Sequence, residues 1–173
     1  MKKWSIDPTH SEVGFKVKHM MFTNVKGLFN DYTANISFED DLKDADLQFE
    51  ANINSIFTNN ADRDNHLKSA DFFDAEQFPT LNFKSTEIKG HGSEYEVKGD
   101  LTIKGITNPV VLKAEFSGLM TDPWGNTKVG LNLDGKINRK DFGLTYNAAL
   151  ETGGVLVGED IKLNAEIQLV EQK

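Results

Sequence analysis

Glu94-Tyr95-Glu96-Val97-Lys98-Gly99-Asp100-Leu101-Thr102-Ile103-Lys104 alternates apolar and polar residues almost without a break. Tyr95, Val97, Leu101 and Ile103 share one parity with Gly99, while Glu94, Glu96, Lys98, Asp100 and Lys104 take the other. Successive side chains of a strand point to opposite faces, so this stretch reads as a half-buried strand and not as a helix. The same register recurs on both sides of it. Leu131, Leu133, Gly135 and Ile137 lead to Arg139, and Val13, Phe15 and Val17 lead to His19. In both cases a basic side chain ends an apolar face, the arrangement that a greasy ligand with a polar head requires.

Extended over the chain, the alternation predicts strands at about 11–20, 25–38, 45–54, 80–89, 94–104, 108–118, 128–139 and 160–170. Turn signals separate them, among them Gly90-His91-Gly92-Ser93 and Asp122-Pro123-Trp124-Gly125-Asn126. The connections are mostly short, which favours antiparallel neighbours. Asn59 to Ala70 lacks the alternation and reads as one short helix, at about 60–70, with Asn60 or Asp62 as its cap. Phe72, Phe73 and Phe78 follow it as an aromatic flap. An all-β chain of about eight antiparallel strands with one apolar face closes either as a barrel or as a two-sheet sandwich. An outer-membrane barrel shows a similar alternation with its faces inverted. The inward parity nominates Phe15, Val17, Phe49, Phe83, Val97, Leu101, Leu112, Leu133, Ile137 and Leu163 as lining of the interior. Parity alone does not separate a hollow interior from a filled one.

A chain of 173 residues with 38% hydrophobic content is expected to form one domain. A formal net charge of −8 argues against a nucleic-acid surface, which needs clustered cations. The absence of cysteine excludes disulfides, thiol catalysis and thiolate metal sites. Met1-Lys2-Lys3-Trp4 is followed by no apolar run, so no signal peptide is expected and a cytoplasmic location is the simplest reading. No stretch has the length of apolar sequence that stable membrane insertion as a helix requires.

Arg139 is the sharpest candidate for a ligand contact, because the guanidinium fork matches a phosphate or carboxylate; the alternative is a structural ion pair with Asp141. His19 is either a head-group donor or a satisfied core histidine. For His10, a local backbone hydrogen bond is expected. Asp62-Arg63-Asp64-Asn65-His66 looks rich in metal ligands, but it has neither a calcium-loop nor a zinc spacing. Capping and salt bridges explain it better, no metal site is expected, and Arg63 and His66 meet a ligand only if the helix covers the interior. Met20-Met21-Phe22 is an apolar loop that offers a surface for a homodimer. No nucleophile elbow, Walker loop or dinucleotide fingerprint occurs, so no catalytic residue is nominated. The rival readings are a barrel enzyme, an isomerase or hydrolase working on a small apolar substrate, and a stress-response module with a filled barrel.

The order of several short motifs resembles the YceI-like family of polyisoprenoid-binding, lipocalin-like proteins. They are His10-Ser11 with Phe15, Val25-x-Gly27-x-Phe29, Arg63-Asp64-x-His66-Leu67, Asp71-Phe72-Phe73-Asp74, Gly99-x-Leu101-Thr102-Ile103 and Arg139-x-Asp141-Phe142-Gly143. The resemblance runs from Trp4 to about Val170. It implies an eight-stranded antiparallel lipocalin-like barrel with a helix beside it. It also implies a long apolar tunnel for an isoprenoid chain, with a diphosphate or quinone-like head near the mouth. On this resemblance the protein binds, transports or stores the lipid and catalyses nothing, and it uses no cofactor other than that ligand. Head-group contacts would then fall to Arg139, His19 and Arg63. Many relatives are exported to the periplasm, and the start of this chain favours a cytoplasmic branch.

Overall fold

A computed structural model of the chain describes residues 1–19, 23–146 and 157–173. Its strands are β1 (Lys2–Ile6), β2 (Glu12–His19), β3 (Thr23–Phe29), β4 (Tyr32–Phe38), β5 (Asp46–Asn52) and β6 (Ile56–Phe57), followed by helix α1 (Ala61–Lys68). Then come β7 (Thr80–His91), β8 (Glu94–Ile103), β9 (Ile106–Phe116), β10 (Met120–Thr121), β11 (Thr127–Asn138) and β12 (Val157–Glu171). All pairings are antiparallel and each stave lies beside its chain neighbour. β12 closes the ring. One of its edges pairs with β11 from Asn138–Asp160 to Lys128–Val170, and its other edge pairs with β2 and then with β1.

The barrel has eight staves, three of which are broken. β1 and β2 share the edge of β12, interrupted by a 3-10 turn at Pro8–His10. β3 and β4 form the next stave, and β5 and β6 the third. The break in the second stave corrects the single strand expected at 25–38: Asn30 and Asp31 interrupt it. β1 was not anticipated, because five residues are too few for the alternation to register. The two-residue strands β6 and β10 went unseen for the same reason. The first break has a local cause. Pro8 has no N–H to donate, and the Asp7 carboxylate accepts from Thr9 N at 3.0 Å, so the chain turns instead of extending.

β8 shows the predicted alternation directly. Tyr95, Val97, Gly99, Leu101 and Ile103 are buried, and Glu94, Glu96, Lys98 and Asp100 are exposed. The inward side chains fill only part of the barrel. At one end Trp4 stacks on Phe38 with ring centroids 4.5 Å apart and donates its indole N–H to Phe38 O, while Phe116 meets Phe38 and Tyr95 edge to face. These rings, with Leu42, Val129 and Leu169, form a solid plug. Helix α1 packs near the opposite end. Its cap is Asn60, whose side chain accepts from Arg63 N.

Candidate functional site

Above the plug the barrel is hollow. A cavity of about 180 Å³ is bounded by inward side chains from most staves, together with Leu67 of α1 and Phe72, Phe73 and Leu144 at the helix end. One buried water needs roughly 10–15 Å³ on such a measure, so this space has room for a group far larger than a water. Its lining is apolar except for Gln48, Asn164 and Arg139.

Nine of the ten apolar candidates line this space. Val97 does not; it is fully buried and lies lower, with Tyr95 in the plugged end. Parity predicted its face correctly but not its height along the barrel axis. Two lining rings lie over a glycine of the neighbouring strand. A Cβ added at Gly27 would overlap the ring of Phe15, its cross-strand partner, and a Cβ at Gly99 would overlap the ring of Phe83. Glycine thus lets these aromatics lie along the sheet and leave the lumen open. A glycine inside an otherwise well-alternating strand was the available signal for this arrangement.

Arg139 borders the cavity and is 2% exposed. Its guanidinium is turned toward backbone. Nε donates to Gly158 O at 2.8 Å, one terminal nitrogen donates to Leu144 O, and the other donates to Val157 O at 3.4 Å. The side chain therefore sews the end of β11 to the start of β12. Burial pushes its pKa down, and the charge of Glu159 opposes this. Glu159 itself is bound by Lys140 at 2.7 Å. The expected partner Asp141 forms no ion pair with Arg139 among the described residues; its carbonyl accepts from Asn108 instead.

The other three polar candidates stand outside the lining. His19 is half-buried, in register between Thr23 and Val157. Arg63 donates from Nε to Thr58 Oγ1 at 2.9 Å and from a terminal nitrogen to Thr58 O at 2.6 Å. Thr58 also donates its N–H and hydroxyl to the buried Asp64 carboxylate. Arg63 and Asp64 thus tie the first turns of α1 to the segment that follows β6. His66 pairs with Asp71 at 2.9 Å, and its ring meets Phe72 and Tyr146 edge to face at about 5 Å. Arg63 and His66 brace the helix end of the cavity from behind and do not face into it. Among the described residues no group of three or more His, Asp or Glu side chains could hold a metal. The Met20-Met21-Phe22 loop lies outside the described residues.

The profile of the YceI-like domain matches residues 4–169. The chain belongs to the YceI-like family. A Staphylococcus aureus protein of the UPF0312 group is 41% identical over 172 residues, covering 97% of each chain. Among solved structures, the YceI protein of Campylobacter jejuni superposes with a TM-score of 0.78 at 36% identity, with both chains fully covered. A polyisoprenoid-binding domain from Saccharophagus degradans, implicated in plant cell wall breakdown, has a TM-score of 0.72 at 12% identity and covers 99% of this chain and 100% of its own. At that identity the likeness is one of fold alone. The barrel of this chain, with eight antiparallel staves and one helix, is the YceI-like fold that superposes on these solved structures.

Proposed function

We propose that the protein is a non-catalytic binder, carrier or store of a lipid with an isoprenoid or similar tail. The observation that carries this reading is the apolar cavity between the aromatic plug and helix α1. Its described lining is almost wholly apolar, which suits the burial of a tail. What it offers is burial, and each CH₂ removed from water contributes about 0.8 kcal/mol. A long tail therefore supplies most of the affinity, and family membership and the polyisoprenoid-binding neighbour support an isoprenoid as that tail.

The test is titration with a series of prenyl alcohols of increasing length, read by tryptophan or competitor fluorescence. Affinity rises with each added prenyl unit until the cavity is full. Leu133→Gln, which puts an amide into the lining opposite Ala114 and Ala165, lowers that affinity at least about tenfold while the circular dichroism of the barrel is kept. Affinity independent of chain length would refute the proposal.

A further inference from the structure

The first two staves break at the same level. The β2–β3 ladder ends at Gly14–Leu28, and the β1–β4 ladder begins at Trp4–Ile36. Between those rungs the wall has a seam. Its first lip is pinned at both ends to β12, because Asp7 N donates to Gln168 O at 2.8 Å and Ser11 Oγ accepts from Gln168 N at 3.0 Å. The turn between those pins stands away from the barrel, and Asn30 and Asp31 turn the opposite lip. The result is a polar cleft of about 600 Å³ on the outside of the seam.

Two observations connect this cleft to the ligand cavity. Among the described residues Val13 and Phe29 line both, so the polar and apolar spaces adjoin at these two side chains. The cleft is also predominantly acidic. Glu12, Asp31 and Glu166 line it, and no lysine or arginine does. Glu12 and Glu166 are cross-strand partners in register, an arrangement that works against sheet stability. Neither forms an ion pair among the described residues. His10, whose ring meets the Asp7 carboxylate at 2.9 Å, lines the cleft as well, and Thr9, Ser11, Asn30 and Tyr32 add hydrogen-bonding groups.

We propose that this seam cleft seats the polar end of the amphiphile whose tail fills the cavity, and that it selects a neutral or cationic head over a phosphorylated one. The inference rests on the lipid-binding reading above. It places head recognition at the seam and not at Arg139, where the guanidinium is already engaged by backbone carbonyls. Three carboxylates repel a diphosphate and accept hydrogen bonds from a hydroxyl or an ammonium group.

The experiment compares geranylgeraniol with geranylgeranyl diphosphate on three proteins. They are the wild type, the seam variant Glu12→Gln/Asp31→Asn/Glu166→Gln, and a control with the same net charge, Glu94→Gln/Glu96→Gln/Glu115→Gln, altered on the exposed face of β8 and β9. The wild type binds the alcohol more tightly. The seam variant moves the alcohol-to-diphosphate affinity ratio toward the diphosphate by about tenfold, and the control leaves it within about twofold. Equal shifts in both variants, or none in either, would overturn the seam assignment while the lipid-binding reading stands. Failure of the wild type to bind the alcohol at all would overturn both.

Discussion

At the scale of single residues, two side chains show how local chemistry shapes the cavity. Phe15 lies along the wall because Gly27 gives it room. Gly27→Ala drives that ring into the lumen, so prenyl-alcohol affinity falls by about tenfold, at a stability cost of about 1–3 kcal/mol from overpacking. The double variant with Phe15→Ala recovers the affinity, a coupling that a binding double-mutant cycle reads directly. Arg139 acts through its hydrogen bonds. Arg139→Met leaves carbonyls of Gly158, Leu144 and Val157 without this donor, and urea denaturation should show a loss of about 2–4 kcal/mol. The variant's preference between a prenyl alcohol and its diphosphate stays as in the wild type, whereas a head-group contact at Arg139 would shift it. Strand parity put Arg139 beside the interior, but its partners are backbone carbonyls of Leu144 and of the first residues of β12, a relation that alternation does not carry.

Among the elements, the broken first stave is the most informative. Asp7 accepts from Thr9 N and from the Thr9 hydroxyl, and its second oxygen meets His10 Nδ1 at 2.9 Å. His10 makes the expected local backbone bond through its own N–H, which donates to Asp7 O at 3.2 Å, while its ring bonds the Asp7 carboxylate. The Thr9 hydrogen bond first, and His10 second, hold the Asp7 carboxyl at about 2 instead of 3.8. A carboxyl whose folded pKa is depressed gives stability that is whole above the unfolded value and lost as pH falls through the folded one. Asp7→Asn should therefore flatten the fall in stability between pH 3.8 and about 2, measured by denaturant unfolding across that window. The long strands were legible because ten or more residues of strict alternation leave one reading; β8, β9 and β11 stand almost where they were expected. Helix α1 was legible from the loss of that pattern. The breaks at Pro8–His10 and Asn30-Asp31 were not, although each switches the inward parity, from Trp4 and Ile6 to Val13 and Phe15 and from Gly27 and Phe29 to Ala34 and Ile36; the segments beside them are too short for a change of phase to stand out.

For the whole molecule, the alternation predicted which faces turn inward, and the barrel turns them so. It did not say how far they fill the interior. That depends on ring orientation, on wall glycines and on the Trp4–Phe38 stack contributed by β1, which is too short to register in the sequence pattern. The seam cleft was invisible for a related reason: it is made by two breaks far apart in the chain that the barrel brings side by side. The outcome is a barrel solid at one end and hollow at the other, where Leu67 of helix α1 joins the lining. The central claim is that the hollow end takes up a lipid tail. Native mass spectrometry of the purified protein, followed by organic extraction and analysis of the released material, tests it most directly. The account predicts extra mass on the folded chain that extraction releases as a species with a prenyl tail. A folded chain that carries no extra mass, and gains none when incubated with prenyl alcohol, would contradict it.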